Sequence, residues 1–233
     1  MKSTRQQNID RFYDLLEEVM EKFPKQTLDK LSTIRLPEKA VYFFFEPNET
    51  RQNNNSERVV RIGTHAAVAN SKARLYDRLY NHKGSKDLTG NHRASVFRKL
   101  IGQSLIAKDN LNYPFWGDKS KKNDKSIKLA EKPLEKVVSN YLYTLPFTVL
   151  EVPGSSSKDN DRAFIEENTI ALLSNYDRQV IDKCSNNWLG LHSKDNKVIA
   201  SGLWNSNYVD RKQIDSNYFA IFQKYLSSMN NWR

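Results

Sequence analysis

Apolar residues recur at Ile9, Phe12, Leu15, Leu16, Val19 and Phe23, while Glu17, Glu18 and Glu21 fall between them. Spacings of one, three and four predict an amphipathic helix through about Phe23. After Pro37 the pattern changes. Ala40-Val41-Tyr42-Phe43-Phe44-Phe45-Glu46 is a nearly continuous β-branched and aromatic run, as expected of a strand buried on both faces. The stretch 47–57, with Asn48, Asn53, Asn54 and Asn55, has no periodicity and predicts a long hairpin loop that returns as a strand over 58–62.

A helix is predicted over 72–82, with Leu75 and Leu79 inward and Gly84 just beyond it as a C-terminal cap, and another over 95–106. Between Trp116 and Pro133 lie Lys119, Lys121, Lys122, Lys125, Lys128 and Lys132 with few apolar residues. That composition predicts a basic loop, solvated or touching phosphate. A helix over 134–142, a strand over 147–152, a Ser-rich linker over 153–160 and a helix over 162–173 capped by Asp161 follow. The segments 188–192 and 198–204, joined by Ser193-Lys194-Asp195-Asn196, predict a hairpin, and 218–226 a terminal helix.

At 233 residues, 38% of them hydrophobic, the chain can build a sizeable core. Lys and Arg number 37 against 27 Asp and Glu, a formal charge of +10, which suits a polyanionic partner, nucleic acid first among them. A merely solvated basic surface is the plain alternative. Cys184 is the only cysteine, which excludes an internal disulfide and a thiolate zinc cluster and predicts a structural thiol. The residues Met1 to Asn8 are polar, and no run approaches the ~18 apolar residues of a membrane span. A soluble, cytoplasmic protein is therefore expected, with no membrane partner.

Several residues are candidates for chemistry. On a strand, Tyr42 projects to the same face as Phe44, opposite Val41, Phe43 and Phe45, so its hydroxyl can reach a site while its neighbours build core. Arg61 and Gly63 share a face of the returning strand, and an arginine between Val60 and Ile62 needs a partner, either a structural carboxylate or a phosphate. Arg78 and His82, four apart on a helix, share a face, where a guanidinium can hold a phosphate and an imidazole can relay a proton; the same spacing is common on solvated surfaces. Glu166 lies beside the apolar side set by Ile165, Thr169 and Leu172, so it can face the protein and offer a hard oxygen ligand to Mg²⁺. Asn91-His92-Arg93, ahead of Ser95-Val96-Phe97-Arg98, reads equally as a phosphate-binding wall or as a helix cap with solvated charges. His65 is a second-tier candidate, since a lone histidine after a strand is more often structural.

Taken in order, Ala40-Val41-Tyr42, then Arg61-Ile62-Gly63 across a hairpin, Arg78-x-x-x-His82 on the next helix and Glu166 on a later one resemble a GIY-YIG nuclease of the restriction or defence type. The resemblance implies a small, mainly antiparallel sheet flanked by helices in a mixed α/β (α+β) domain. One domain over 1–233 is then expected, with an N-terminal helical extension over 1–36, a catalytic core with insertions over 40–175, and a C-terminal hairpin and helix over 176–233.

The resemblance further implies an endonuclease that hydrolyses DNA, presumed double-stranded, by attack of an activated water, as a monomer or homodimer. Tyr42 would be the base, Arg61 its electrostatic partner, Arg78 the phosphate clamp, His82 a proton relay or water positioner, and Glu166 the ligand of Mg²⁺ or Mn²⁺. Asn168, Asn175 or Asn205 would supply the asparagine that some members use beside the metal. Arg74, Arg93, Arg98, Lys121 and Lys122 are the expected DNA contacts. Two positions depart from the family pattern: Ala40 stands for the first motif's glycine, and Arg61 for the second motif's tyrosine. The second departure keeps a DNA-binding module without catalysis in play. A structural protein in which Tyr42, Arg78 and Glu166 form an ordinary buried polar network is the third reading.

Overall fold

The computed structural model describes residues 3–65, 71–155 and 160–232. The aromatic run from Ala40 becomes the central strand β1 (Ala40–Thr50), with β2 (Glu57–Gly63) and β3 (Phe147–Glu151) on either side. The sheet is antiparallel throughout, in the order β2-β1-β3. Between the pairs Phe44↔Arg61 and Phe45↔Val59, the register slips by one residue on β2, leaving Val60 as a bulge. Neither edge is bare. Trp204 donates its amide to the Val60 carbonyl, while Asn205 accepts from the Ile62 amide and donates to the Ile62 carbonyl. On the far side, Gln26 exchanges both backbone bonds with Phe147. These bonds occupy backbone groups of each edge strand that would otherwise be open to pairing.

Seven helices surround this sheet among the described residues: α1 (Thr4–Lys22), α2 (Leu75–Lys83), α3 (Val96–Lys108), α4 (Lys125–Tyr143), α5 (Asp161–Leu173), α6 (Asn196–Ser201) and α7 (Tyr218–Ser228). Phe43 on one face of β1 meets Phe12 of α1 and Phe222 of α7, with ring centroids 5.9 and 6.3 Å away. Tyr42 and Phe44, on the other face, meet His82 of α2, and Phe44 also meets Phe97 of α3. The alternation of β1 therefore sorts the helices into two layers. Helix α1, expected as an extension, is one wall of the core: Ile9, Phe12, Leu15, Leu16 and Val19 are all buried.

Four expectations need correction. Strand β1 runs on through Thr50, past the expected loop start, because Glu49 turns inward and its carboxylate takes bonds of 2.9 and 2.6 Å from Arg58 on β2. The basic stretch before Pro133 is a loop only in its first half, where Lys119–Lys121 form a 3-10 turn. Asp124 accepts from the amides of Ser126 and Ile127 and starts α4 there, placing Lys125, Lys128 and Lys132 on exposed turns of a helix that carries Pro133 inside it. The expected hairpin over 188–204 is a 3-10 turn, Leu189–His192, followed by α6. Asp195, read as a turn residue, is the N-cap of α6, accepting from the Lys197 amide, and Gly202 ends the helix at φ 72°. Finally, Asn160 rather than Asp161 caps α5, accepting from the Ala163 amide, and Asp161 instead accepts from the Tyr225 hydroxyl.

Candidate active site

Tyr42 lies opposite Gly63 in the β1–β2 ladder, and the ring of Tyr42 lies across the space where a Gly63 side chain would stand. A Cβ built on Gly63 would fall 2.6 Å from Tyr42 Cε2 and closer still to Cζ and Oη. The glycine of the second motif thus makes room for the tyrosine of the first, a packing reason independent of backbone freedom. Tyr42 is fully buried, set edge-on against Phe44 and His82 at 5.6 and 5.7 Å. Its Oη lies 3.0 Å from His82 Nε2 and accepts from Arg78 Nε at 3.4 Å. Helix α2 supplies both partners because Arg78 and His82 stand one turn apart.

Arg61 sits beside Phe44 in the register, 6% exposed, with its guanidinium 4.8 Å from the Phe97 ring and Nη1 donating to the Trp204 carbonyl. Its Nε has no hydrogen-bond partner among the described residues. Burial lowers the Arg61 pKa, against the pull of Tyr42 and Glu166. Arg78, partly exposed, has its pKa raised, first by Tyr42, with burial opposing. Glu166, brought in by α5, has its carboxyl raised to about 7 by burial, which outweighs Arg61, Arg78 and a bond from the Thr64 backbone. His82 is fully buried, and burial followed by Arg78, Arg61 and Arg98 pushes its pKa well below the ordinary range, so it is neutral at pH 7. Five residues singled out by the family resemblance thus share one electrostatic environment, drawn from β1, β2, α2 and α5.

His65 borders this group. It is buried near the Glu38 backbone with neither ring nitrogen in a well-formed hydrogen bond among the described residues, and burial, then Arg162, hold it down to about 4. The three asparagines do other work. Asn168 donates to the Phe164 carbonyl and accepts from the Asp215 amide; Asn175 accepts from the Ile181 amide and from Arg5; Asn205 pairs with Ile62 as an added strand would. Each ties chain segments together, and none bonds Glu166.

The segment Asn91-His92-Arg93, read equally as a phosphate wall or as a cap with solvated charges, is bonded into the protein. His92 gives its amide and Nδ1 to Glu135 at 2.8 Å each and stacks on Trp116 at 3.7 Å, while Asn91 accepts from the Arg93 amide. Arg93 is spent on Glu131 at 2.6 and 2.9 Å and on two carbonyls. Arg98, expected to touch DNA, is fully buried: it pairs with Glu135 at 2.9 and 2.5 Å and donates to the His82 carbonyl at 2.8 Å. Arg74 and Lys122 are exposed, and Lys121 lies half-buried over Phe115.

Spacing missed Ser95, which accepts from the Arg98 amide as the N-cap of α3 and whose Oγ also lies 2.8 Å from His82 Nδ1. A serine ahead of an apolar run signals a helix cap; nothing in that signal announces its contact with a histidine on another helix.

As for a metal, no group of three or more His, Cys, Asp and Glu side chains gathers among the described residues. Of the five clustered residues Glu166 is the carboxylate, and burial raises its pKa against the pull of Arg61 and Arg78. Such a donor suits a hard divalent cation that completes its shell with water and phosphate oxygens.

The family model described as GIY-YIG domain matches residues 3–232, taking in α1 and α7 as well as the segment from β1 to α5. No curated protein and no solved structure matches the chain.

Proposed function

This chain belongs to the GIY-YIG domain family, a nuclease superfamily, and on that premise we propose that it is a divalent-metal-dependent endonuclease that hydrolyses DNA phosphodiester bonds. The convergence of Tyr42, Arg61, Arg78, His82 and Glu166 from four separate elements carries the reading. Hydrolysis needs a base for the attacking water and positive charge against the phosphoryl oxygens. In this proposal Tyr42 acts as a phenolate whose negative charge Arg61 and Arg78 compensate, and its Oη takes the proton of the attacking water, leaving a neutral phenol and a hydroxide for the phosphorus. Arg78, the more exposed of the two guanidiniums, binds a non-bridging phosphate oxygen. Glu166 holds Mg²⁺ or Mn²⁺, which when bound would neutralise charge on the scissile phosphate. A restriction or defence role is supported by Arg61, a basic residue near the second-motif position as in restriction-type members.

The basic face of the chain supports DNA as substrate. Helix α4 presents Lys128, Lys132 and Lys136 at every fourth position, all exposed. Like charges at that spacing repel, and a phosphate backbone relieves the repulsion. No helix among the described residues is long and apolar enough to cross a membrane.

One observation favours a second reading, a DNA-binding member that does not cut: Tyr42 is fully buried. Incubation of supercoiled and linear DNA with the protein and with Glu166→Ala, each with Mg²⁺ or with EDTA, separates the two. Cutting by the unaltered protein only with Mg²⁺, lost in Glu166→Ala, is expected. DNA bound at low salt but uncut by both proteins in Mg²⁺ supports the second reading.

A further inference from the structure

We propose that Ser95 is a positioning residue that holds His82 as its Nε2–H tautomer, so that His82 donates a hydrogen bond to the Tyr42 oxygen instead of taking its proton. This replaces the relay role expected of His82. The hydrogen bonds around His82 allow two arrangements, and the choice between them rests on the nuclease reading above, in which Tyr42 is the base.

His82 is fully buried between two hydroxyls, with Tyr42 Oη 3.0 Å from Nε2 and Ser95 Oγ 2.8 Å from Nδ1. A neutral imidazole donates at one nitrogen and accepts at the other, and which is which follows from its neighbours. Ser95 Oγ already accepts from the Arg98 amide at 3.2 Å, and the serine is fully buried. Its own hydrogen has one acceptor within reach among the described residues, His82 Nδ1. If Nδ1 carried the proton, Ser95 would accept twice, and its buried hydroxyl hydrogen would be left unpaired, a cost of about 1–3 kcal/mol. The opposite tautomer satisfies Ser95 and puts the proton on Nε2, facing Tyr42.

Either arrangement leaves one hydroxyl hydrogen without an acceptor. With Nδ1 protonated it belongs to Ser95; with Nε2 protonated it belongs to Tyr42, whose oxygen already accepts from Arg78. The base role separates the two: a base that takes a proton from water has first given up its own hydrogen, and that role falls to Tyr42 and not to Ser95. With Nε2 protonated and the phenol proton gone, the Tyr42 oxygen accepts from His82 and Arg78, and neither hydroxyl is left with an unpaired hydrogen. Such an oxygen is placed to carry negative charge and take a proton from water.

The backbone around the imidazole is fixed from the same turn of α3. Arg98 donates to the His82 carbonyl at 2.8 Å and is itself held by Glu135. One residue therefore holds the backbone of His82 while another, three positions earlier, sets the tautomer of its ring.

The test is ¹⁵N NMR of the full chain labelled at its four histidines, with the His82 signals identified by their loss in His82→Gln. The expected spectrum shows a protonated Nε2 and a bare Nδ1 at neutral pH. In Ser95→Ala the proton should move wholly or partly to Nδ1, and Ser95→Thr should restore it. A protonated Nδ1 in the unaltered protein, or a tautomer unchanged in Ser95→Ala, overturns the proposal. Should Ser95→Ala fail to fold, the unaltered protein and Ser95→Thr decide the matter by the same two signals. Kinetics supply the second readout: kcat for DNA cleavage should fall about tenfold in Ser95→Ala with KM unchanged and recover in Ser95→Thr, about the effect of one hydrogen bond. A chain that cuts no DNA yet shows the expected tautomers would end the nuclease reading while leaving the Ser95–His82 assignment in place.

Discussion

Gly63→Ala adds a single methyl group, yet the Tyr42 ring occupies the space that group needs. The new Cβ would lie 2.6 Å from Tyr42 Cε2 and nearer to Cζ and Oη. The ring cannot swing away cheaply, because Phe44 and His82 pack against it edge-on and it has no exposed surface. Forced overpacking of this kind costs about 1–3 kcal/mol. Tyr42→Ala by itself should cost about 3–5 kcal/mol, as large aromatic truncations do. In the double variant the alanine at 63 enters the space left by the ring, so its penalty should vanish to within about 0.5 kcal/mol, leaving a coupling of about 1–3 kcal/mol. Urea unfolding of the four proteins, compared at equal m-values, measures that coupling directly. Gly63→Ala within about 0.5 kcal/mol of the unaltered protein, or penalties that simply add in the double variant, would refute the close approach of strand and ring.

Other outcomes follow from the same geometry. The Glu166 carboxyl, raised from 4.5 to about 7 by burial, binds its proton more tightly folded than unfolded. Its contribution to stability is therefore complete below about 4.5 and lost as the pH rises through about 7, a loss on the order of 3 kcal/mol that Glu166→Gln should remove from the difference between melting curves at pH 5 and pH 8. Identical pH dependence in the two proteins would contradict the shift. Replacing Lys128, Lys132 and Lys136 together by Gln should lower the slope of log K for DNA against log salt by up to about 2.7, and an unchanged slope in a binding titration would mark these lysines as merely solvated. Arg98→Ala leaves Glu135 buried without its guanidinium and should cost about 3–5 kcal/mol in denaturant unfolding while the salt slope of DNA binding stays as it was. Normal stability with weakened DNA binding would put Arg98 back on the nucleic-acid surface.

Periodicity was enough for elements whose stability is local. The helix through Val19, the aromatic strand from Ala40 and the helix closed by Gly84 carry their own pattern of apolar positions and caps, so their existence and their inward faces were legible in the chain. Spacing within β1 and α2 put Tyr42 on one strand face and Arg78 with His82 on one helix face, whereas Arg61 and Glu166 joined them in the sequence reading only through the family resemblance.

What one sequence left open were choices between local and distant partners. Asp195 is equally good in a turn or at a helix start, and the packing of Trp188 on Trp204, both indoles bonded to Glu46, accompanies the helix. The arginines at 93 and 98 are as basic as any DNA contact, and only their meeting with Glu131 and Glu135 on α4 shows that their charge is already used. The same holds at the site. Tyr42, His82 and Ser95 come from three different elements, and the tautomer that decides what His82 does depends on distances of 3.0 and 2.8 Å that no spacing encodes. Local pattern determines which face of each element turns inward; the partner a buried polar atom finds there is settled only when distant elements close around it and water is excluded.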